Sequence, residues 1–508
     1  MRKVKQKKLI QLMDVIDKGL EGIACMGQAD AKIRDMINEY LSAFKTIEEA
    51  VLADFSEEKQ KEYGSIAGSI TRSFEKMAST LLDGNRAAAE TREGIHKIRT
   101  ELAQLRQKLK KEKDIQYLIL FLPYKASMWD SMESIWLAAQ KDPRCTAFVA
   151  PIPYYDRNPD GSFGKMHYEG DRMPPYVEIV DCTRLSMEEL MPDMIYFHNP
   201  YDDHNYVTSV HPAFYSRELK KYTDLLIYVF YFIPGVYASA ETAAASFLTT
   251  GMWNADLIIA QSEIHKALME ANGNAPEKIA VLGNPKFDYI LNHLKDCRIP
   301  NEWESRLRSR KVFLICNSVG PFLENKNTTE QYDALIGWLI HVCHAAVIYR
   351  PHPLLEATIL AMRPQQYGQY MELIHKYQKY EAFILDTMED AMPSVCASDG
   401  MIGDYSSLCF SYAATGRPVA MSRKSAPSDD FYYAFDYRGI DFIDLSGWTT
   451  DGKAPKPLED FVQGVMSGRD DGKERRMELI RKSVVNLDGT SGEKIHEYAI
   501  GRLAKCEQ

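Results

Sequence analysis

Two polar clusters that follow apolar runs carry the residue types that bind phosphate. Asp404, Ser406 and Ser407 stand between a short apolar run and an apolar stretch that ends at Gly416. This pattern predicts a buried strand, a polar turn and a helix whose N-terminus presents unpaired amide donors and a positive dipole end. The alternative is plain N-capping, for which serine and aspartate are preferred whatever the function.

The second cluster is Arg350-Pro-His352-Pro, which follows the apolar run Ala345–Tyr349. Arginine offers phosphate oxygens a permanent planar fork, and histidine can donate to the same group or pass a proton to a leaving phosphate. The alternative is a structural turn, because the prolines restrict the backbone. Since ligands of parallel sheets bind beyond the carboxyl ends of the strands, the two clusters together predict a site for a nucleotide diphosphate and hence a transferase.

A third and weaker cluster is Asn486-Leu-Asp488-Gly489-Thr490-Ser491. Asp488-Gly489 predicts a turn, and Thr490 or Ser491 predicts the start of a C-terminal helix. This helix would offer a second N-terminus to the same diphosphate.

The composition indicates a globular protein with more than one domain. The chain has 508 residues, 45% hydrophobic and 26% charged, which exceeds the usual size of a single core. The net charge of −10 argues against general nucleic-acid binding. Nine dispersed cysteines fit reduced core thiols better than disulfides or zinc. Because neither a membrane span nor a signal peptide is apparent, we expect a cytoplasmic protein.

The patterning divides the chain into predicted regions 1–113, 114–300 and 301–508. The first region is helical, with breaks at Asp54–Ser56 and Gly84-Asn85. Basic residues at its two ends could contact an anionic membrane surface. One stretch has apolar residues at a/d spacing, which predicts either one helix of an antiparallel bundle or self-association through a coiled coil. This seam comprises Ile95, Ile98, Leu102, Leu105 and Leu109.

The other two regions alternate apolar runs with helical segments, which predicts parallel sheets covered by helices. The expected strands of region 114–300 are Gln116–Leu122, Cys145–Pro151, Met194–His198, Asp224–Phe232 and Ala255–Ala260. Those of region 301–508 are Val312–Cys316, Ala345–Tyr349, Phe383–Leu385, Gly400–Ile402 and Pro418–Met421. We therefore predict an α/β fold with two Rossmann-like domains that face each other across a cleft, preceded by an all-α region.

Together the motifs resemble the CDP-glycerol glycerophosphotransferase family, which includes wall teichoic acid polymerases and primases of Gram-positive bacteria. The likeness rests on Arg350–Pro353, Asp404–Ser407, Thr415–Pro418 and Asp488–Ser491. It implies a GT-B arrangement, with the nucleotide held mainly by the second Rossmann-like domain. It also implies transfer of a phosphoalditol group from a CDP-alditol to an acceptor hydroxyl in cell-surface polymer synthesis, with release of CMP.

One departure concerns the general base. The family's first domain usually carries Trp-His-Gly-Thr, whose histidine is taken as the base, whereas the comparable place here, Tyr228–Gly235, has no histidine. This implies either a relocated base or loss of the reaction. The polar loop after Met194–His198 offers His198 for substrate binding and His204, oriented by Asp203, as a relocated base. A metal cluster and ordinary loop polarity are the alternatives.

The expected reaction uses the CDP-alditol as donor and needs no cofactor and no essential metal. Arg350, His352 and the helix-end donors would stabilise charge on departing CMP, which can supply most of the catalysis in phosphoryl transfer. The expected acceptor is a glycan or polyol phosphate, lipid-linked if the protein lies at the inner face of the membrane. Two other interpretations stay open: a GT-B glycosyltransferase that uses a nucleotide sugar, and a non-catalytic nucleotide-binding scaffold.

Overall fold

The fold is taken from a computed structural model, which describes residues 1–25, 31–82, 88–205, 207–428, 431–448 and 452–505. The predicted break at Gly84-Asn85 lies outside these residues. The chain forms two compact units: the first comprises Met1–Ile119, Asp142–Thr146 and Ser186–Asp193, and the second Leu120–Lys141, Ala147–Leu185 and Met194–Gln508. The predicted domain boundaries near residues 113 and 300 stay predictions.

The strands of the described residues are, in chain order, β1 Tyr117–Leu122, β2 Cys145–Val149, β3 Tyr154–Arg157, β4 Phe163–His167, β5 Met194–Phe197, β6 Thr208–Val210, β7 Leu225–Tyr228, β8 Val236–Tyr237, β9 Leu257–Ala260, β10 Ile279–Val281, β11 Val312–Asn317, β12 Ala346–Pro351, β13 Phe383–Leu385, β14 Gly400–Gly403, β15 Val419–Met421, β16 Tyr432–Tyr433 and β17 Asp441–Phe442.

The α-helices of the described residues are, in the same order, α1 Lys3–Cys25, α2 Ala31–Leu52, α3 Glu57–Leu82, α4 Ala88–Lys110, α5 Glu133–Lys141, α6 Met187–Leu190, α7 Ser216–Leu219, α8 Ala240–Phe247, α9 Thr250–Asn254, α10 Glu263–Ala271, α11 Pro285–His293, α12 Asn301–Leu307, α13 Gly320–Glu324, α14 Thr328–His341, α15 Leu355–Met362, α16 Pro364–Tyr377, α17 Met392–Ala397, α18 Ser407–Ala414, α19 Lys456–Ser467, α20 Lys473–Ser483 and α21 Ser491–Lys505.

Helices α1 to α4 pack into a bundle around their own apolar core. Apolar residues spaced three and four apart put one face of each helix toward this core. Helices α1 and α4 run antiparallel, since Gln6 Nε2 donates to Leu109 O at 2.6 Å while Asp17, further along α1, pairs with Arg99 at 2.7 Å. Among the described residues, these helices and all the others lack the combination of length and apolar sequence that crossing a membrane requires.

The a/d seam of α4 lies inside this bundle. Its side chains are at most 2% exposed and pack with residues of α1, α2 and α3. The bundle interpretation of the seam is therefore the one that the structure shows. The break at Asp54–Ser56 also falls between α2 and α3, as predicted.

One six-stranded sheet has the order β10-β9-β7-β5-β1-β2, in which the pairs β5–β7, β7–β9 and β9–β10 are parallel. The chain starts at β1, adds β2 on one side and then continues from β5 on the other. This reversal of strand order is the feature of doubly wound sheets that opens a crevice at the carboxyl ends of the strands.

A second six-stranded sheet has the order β13-β12-β11-β14-β15-β17 and is parallel throughout. Its strand order reverses between β11 and β14, so that Asn317 and Gly403, which end these strands, flank the crevice. All five strands predicted for each region are present, because buried parallel strands are continuous apolar runs. The α/β class, the Rossmann-like sheets and the all-α region are confirmed.

Several short strands were not predicted. The strand β10 has three residues, and β3, β4 and β6 form a small antiparallel sheet, while β8 pairs with β16. Strand β4 is largely exposed and mixes polar with aromatic residues, so it lacks the apolar run that reveals the longer strands.

The prediction that the cysteines are all reduced was wrong for one pair. Cys297 and Cys396 form a disulfide across 99 residues of sequence. The two residues lie after α11 and in α17, and sequence spacing alone gave no reason to join them. The bond links two segments that line the same cavity.

Candidate functional site

A cavity of about 920 Å³ is lined by residues from the segments around both six-stranded sheets. We call residues 120–141, 147–185 and 194–300 the first half and residues 301–505 the second half. The first half contributes the 126–134 stretch, Arg172–Tyr176 and α11, and the second half contributes Arg350, the 389–396 stretch and the first turn of α18. The cavity is thus lined by both halves.

Arg350 ends β12 and fixes one wall of this cavity. Its Nη1 donates to Asp386 Oδ2 at 2.7 Å, and its Nη groups also donate to the carbonyl oxygens of Glu389 at 3.1 Å and Asp390 at 3.3 Å. The Arg350 side chain is 11% exposed and that of Asp386 is not exposed at all. The fork that the sequence analysis assigned to phosphate is therefore occupied by protein oxygens, and Arg350 positions the loop that follows β13.

His352 stands just beyond β12 with an exposed ring. Its amide donates to Asn317 O at 3.0 Å, and its Nδ1 accepts from the amide of Leu354 at 3.2 Å. An accepting Nδ1 leaves the proton of the neutral ring on Nε2. Partial desolvation of the ring, together with Lys125, lowers the pKa of His352. The ring is thus a neutral Nε2–H donor near pH 7.

Asp404 and Ser406 shape the entry to α18. Asp404 Oδ2 accepts from the amide of Ser318 at 2.6 Å and from its Oγ at 2.9 Å, and burial raises the pKa of Asp404 to about 6. Ser406 is the N-cap, with its side chain accepting from the amide of Cys409 at 3.3 Å. These two side chains perform the capping and loop-tethering role that was the alternative to phosphate binding.

Ser407 begins α18 and lines the cavity, but its hydroxyl is engaged by the first half. The Oγ of Ser407 accepts from the amide of Ile233 at 3.1 Å, and the neighbouring Tyr405 Oη accepts from the amide of Val236 at 2.8 Å. Gly235 fits beneath Tyr405 because a Cβ there would lie 2.1 Å from the Tyr405 hydroxyl. The segment that lacks the family's histidine, Tyr228–Gly235, thus lies against the start of α18.

The C-terminal cluster is bound to α11 and not to an open site. Asp488 Oδ1 accepts from the amide and the hydroxyl of Thr490, and Gly489 has a φ of +88° that a residue with a side chain would adopt only with strain. The amides of Ser491 and Gly492 donate to the Asp288 carboxylate at 3.1 and 2.7 Å. This corrects the prediction of a second helix N-terminus for the diphosphate, since a buried carboxylate already satisfies these donors.

His198 is buried at the end of β5. Its Nε2 accepts from the amide of Tyr124 at 3.2 Å, and its Nδ1 lies 3.1 Å from Ser131 Oγ. Complete burial lowers the pKa of His198 to about 3, and nearby Lys286 adds to this effect. Because both ring nitrogens are used, no nitrogen of His198 is left for a substrate contact.

His204 and Asp203 lie together in the loop after β5. His204 Nε2 is 3.5 Å from Asp203 Oδ1, and the His204 side chain is 74% exposed. Asp203 also contacts Arg217 at 3.4 Å. The structure brings the predicted pair together, but neither residue lines the cavity described above.

Charged residues of the first half that line this cavity, among them Lys286, Asp130 and Glu133, were missed by the sequence analysis. Lys286, at the start of α11, forms an ion pair with Asp130. Burial raises the pKa of Asp130, although the ion pair acts to lower it. Glu133, at the start of α5, bonds to Tyr176 Oη and lies 3.7 Å from His293 Nδ1. Burial likewise raises the pKa of Glu133. Asp130 and Glu133 lie three residues apart in the sequence, and this spacing was the available signal.

The cavity therefore combines cationic, anionic and hydrogen-bonding groups. Lys286, Arg172 and Arg298 can attract a phosphate, while carboxylates and His293 can bind a hydroxyl or accept a proton. No three metal-ligating side chains among the described cavity residues bring their ligand atoms within 4.8 Å of one another.

Several solved structures are similar to this chain at low identity. The S. aureus MnaA–UDP co-structure shares 14% identity over 76% of this chain and 98% of its own, with a TM-score of 0.46. The UDP-GlcNAc 2-epimerase from Neisseria meningitidis bound to UDP-GlcNAc shares 13% over 76% and 100%, with a TM-score of 0.48. A structure of the wall teichoic acid polymerase TagF shares 14% over 87% and 99%, with a TM-score of 0.46.

The sequence comparison gives a more specific result. No curated protein matches the chain. Residues 339–497, however, match the family model described as CDP-Glycerol:Poly(glycerophosphate) glycerophosphotransferase. The matched segment contains the Arg350-to-Pro353, Asp404-to-Ser407 and Asp488-to-Ser491 motifs. Residues 339–497 of the chain are thus similar to the CDP-glycerol:poly(glycerophosphate) glycerophosphotransferase family.

Proposed function

We propose that this protein transfers a phosphoalditol group from a CDP-alditol to an acceptor hydroxyl and releases CMP. One observation carries the proposal: the family match lies in the second half, and several of its motif residues border the cavity that both halves line. CDP-glycerol is the first donor to test, and CDP-ribitol the second. The acceptor is a glycan or polyol phosphate of a cell-surface polymer.

The donor diphosphate would lie between the start of α18 and the end of β12. There His352, which is exposed beside the cavity and does not itself line it, offers an Nε2–H donor. The first turn of α18 offers backbone amides and the positive end of its dipole. Arg350 acts indirectly, because it holds the loop at residues 386–390 that forms the adjacent wall of the cavity. Charge that builds up on the departing CMP is stabilised by these donors and by Lys286 of α11, which also lines the cavity.

The reaction is a displacement at phosphorus. The acceptor oxygen forms a bond to the distal phosphorus of the donor, the bond from that phosphorus to the CMP oxygen breaks, and the electron pair leaves with CMP. Positioning and charge stabilisation can carry most of the catalysis, so we propose no metal and no cofactor. Asp203 and His204 stay predictions for the group that removes the acceptor proton.

The test is CMP release from CDP-glycerol or CDP-ribitol, with glycerol phosphate or a membrane preparation as acceptor. His352→Ala should lower the rate by roughly 100-fold or more, as expected for loss of a donor to a developing charge. His375→Ala is the matched control, because His375 is an exposed histidine on α16 of the same half.

Three outcomes would contradict the proposal. Release of a nucleoside diphosphate from UDP-GlcNAc, without CMP from either CDP-alditol, would favour a glycosyltransferase. Binding of CDP-glycerol without turnover under every acceptor would favour a scaffold, a function consistent with the missing Trp-His-Gly-Thr histidine. Failure to bind either CDP-alditol would remove the donor assignment.

A further inference from the structure

A histidine and a glutamate meet on the first-half wall of the cavity, although 160 residues separate them in sequence. His293 is the last residue of α11, and Glu133 is the first residue of α5. His293 Nδ1 lies 2.9 Å from Tyr289 O and 3.7 Å from Glu133 Oε2. Both side chains line the cavity.

The contacts of His293 define which ring nitrogen can act as a base. A carbonyl oxygen can only accept, so the 2.9 Å contact with Tyr289 O requires the proton of the neutral ring to be on Nδ1. The Nε2 atom then carries the lone pair. Nε2 has no hydrogen-bond partner among the described residues, and the His293 side chain is 34% exposed. This nitrogen is available to a ligand in the cavity.

The surroundings hold the ring in place. The Tyr289 ring packs against the His293 ring with centroids 4.1 Å apart. Glu133 is 3% exposed, and its other oxygen accepts from Tyr176 Oη, which fixes the carboxylate beside Nδ1. A buried carboxylate on the Nδ1 side orients an imidazole and stabilises the imidazolium that forms when Nε2 takes a proton.

The proposed donor side lines the same cavity. Ser407 and Leu408 of the first turn of α18, with Arg350 and Pro353 at the end of β12, line it. A hydroxyl held at His293 Nε2 would therefore lie in the same cavity as the donor phosphates. The two histidines of the first half that the sequence suggested do not offer a free ring nitrogen to this cavity. Both ring nitrogens of His198 are occupied, and His204 does not line the cavity.

We propose that His293 is the general base for the acceptor hydroxyl and that Glu133 is its positioning residue; this rests on the proposed function above. His293 Nε2 removes the hydroxyl proton while the oxygen forms its bond to the distal phosphorus. The bond to the CMP oxygen breaks and CMP leaves with the electron pair. The imidazolium, paired with Glu133, then returns its proton to solvent.

The test measures CMP release from CDP-glycerol with glycerol phosphate as acceptor, together with the Kd of CDP-glycerol by calorimetry. His293→Asn should lower kcat by 10²- to 10⁴-fold, the usual contribution of general base catalysis, and leave the donor Kd within twofold. Imidazole added to His293→Ala should restore part of the lost rate. A histidine that only caps a helix would not respond to imidazole.

Two further variants separate catalysis from structure. Glu133→Gln should lower kcat without changing the donor KM, and the double variant with His293→Asn should lose no more than His293→Asn alone, because the two residues act as a unit. His375→Gln is the matched control: His375 also lies in the last turn of a helix, α16, but is exposed. It should keep wild-type kcat.

The results distinguish this inference from the proposed function. If the wild type releases CMP and His293→Asn keeps its kcat, the base assignment is overturned and the transferase stands. If His204→Ala loses activity in place of His293→Asn, the base is in the loop after β5. A wild type that neither binds CDP-glycerol nor releases CMP overturns the proposed function, and this inference with it.

Discussion

The buried pair Arg350–Asp386 should make Arg350→Ala one of the most destabilising substitutions in the second half. The Nη1–Oδ2 distance is 2.7 Å, with 11% of the Arg350 side chain and none of the Asp386 side chain exposed. Asp386 also accepts from the Ser394 hydroxyl and from the amide of Met388. Removing the arginine would leave a buried carboxylate without its counterion.

The expected loss follows from this burial. Removing one partner of a buried ion pair typically lowers the free energy of unfolding by about 3–5 kcal/mol. Two carbonyl oxygens, those of Glu389 and Asp390, also lose a charged donor. We expect the loop at residues 386–391 to open, since these bonds hold it, and the affinity for CDP-glycerol to fall with it.

A surface pair of the same length provides the control. Lys376 Nζ lies 2.7 Å from Asp333, but the two side chains are 51% and 39% exposed. Solvent screens such pairs, so Lys376→Ala should cost no more than about 1 kcal/mol. Urea unfolding of both variants and hydrogen exchange of residues 383–396 measure the difference. Equal, small losses for the two variants would refute the view that burial makes the Arg350 pair structural.

Three other outcomes are expected. Cys297→Ser should lower the free energy of unfolding by about 4.7 kcal/mol, the loop-closure value for roughly 100 residues. Thiol titration of the unreduced, denatured wild type should find seven thiols, which is the nine cysteines less the bridged pair. Nine titratable thiols would contradict the disulfide. Burial raises the Asp404 pKa to about 6 from its ordinary 3.8, so Asp404 contributes stability below about pH 4 that is lost as pH rises through 6. Over this pH range the free energy of unfolding of Asp404→Asn should rise by about 3 kcal/mol relative to that of the wild type. If the two free energies change with pH in parallel, the carboxyl is solvated. CMP release should persist in EDTA, and loss that Mg²⁺ restores would establish a metal requirement.

The apolar runs of the sequence were sufficient to predict the two parallel sheets. Val312–Cys316 and Phe383–Leu385, for example, appear as β11 and β13 with nearly the predicted bounds. A strand buried on both faces must be apolar at every position, so its signal is local and strong. The half-exposed strands β3 and β4 lack that signal and were missed.

For the site, the sequence alone determined which segments end at the cavity. The Arg350-Pro-His352-Pro and Asp404-Tyr-Ser-Ser motifs each lie within a few residues of a strand end, because strand, turn and helix start are encoded by neighbouring residues. The family resemblance was carried by the same local motifs and is confirmed by the match over residues 339–497.

Only the tertiary structure decided what these side chains contact. Arg350 could face phosphate or protein, and the packing of the loop after β13 gives it Asp386. The helix end at Ser491 meets Asp288, and Glu133 meets His293, across sequence separations that no local pattern spans. Such partners are set by how distant helices pack, which depends on the summed burial of many side chains and not on the few residues that make the contact.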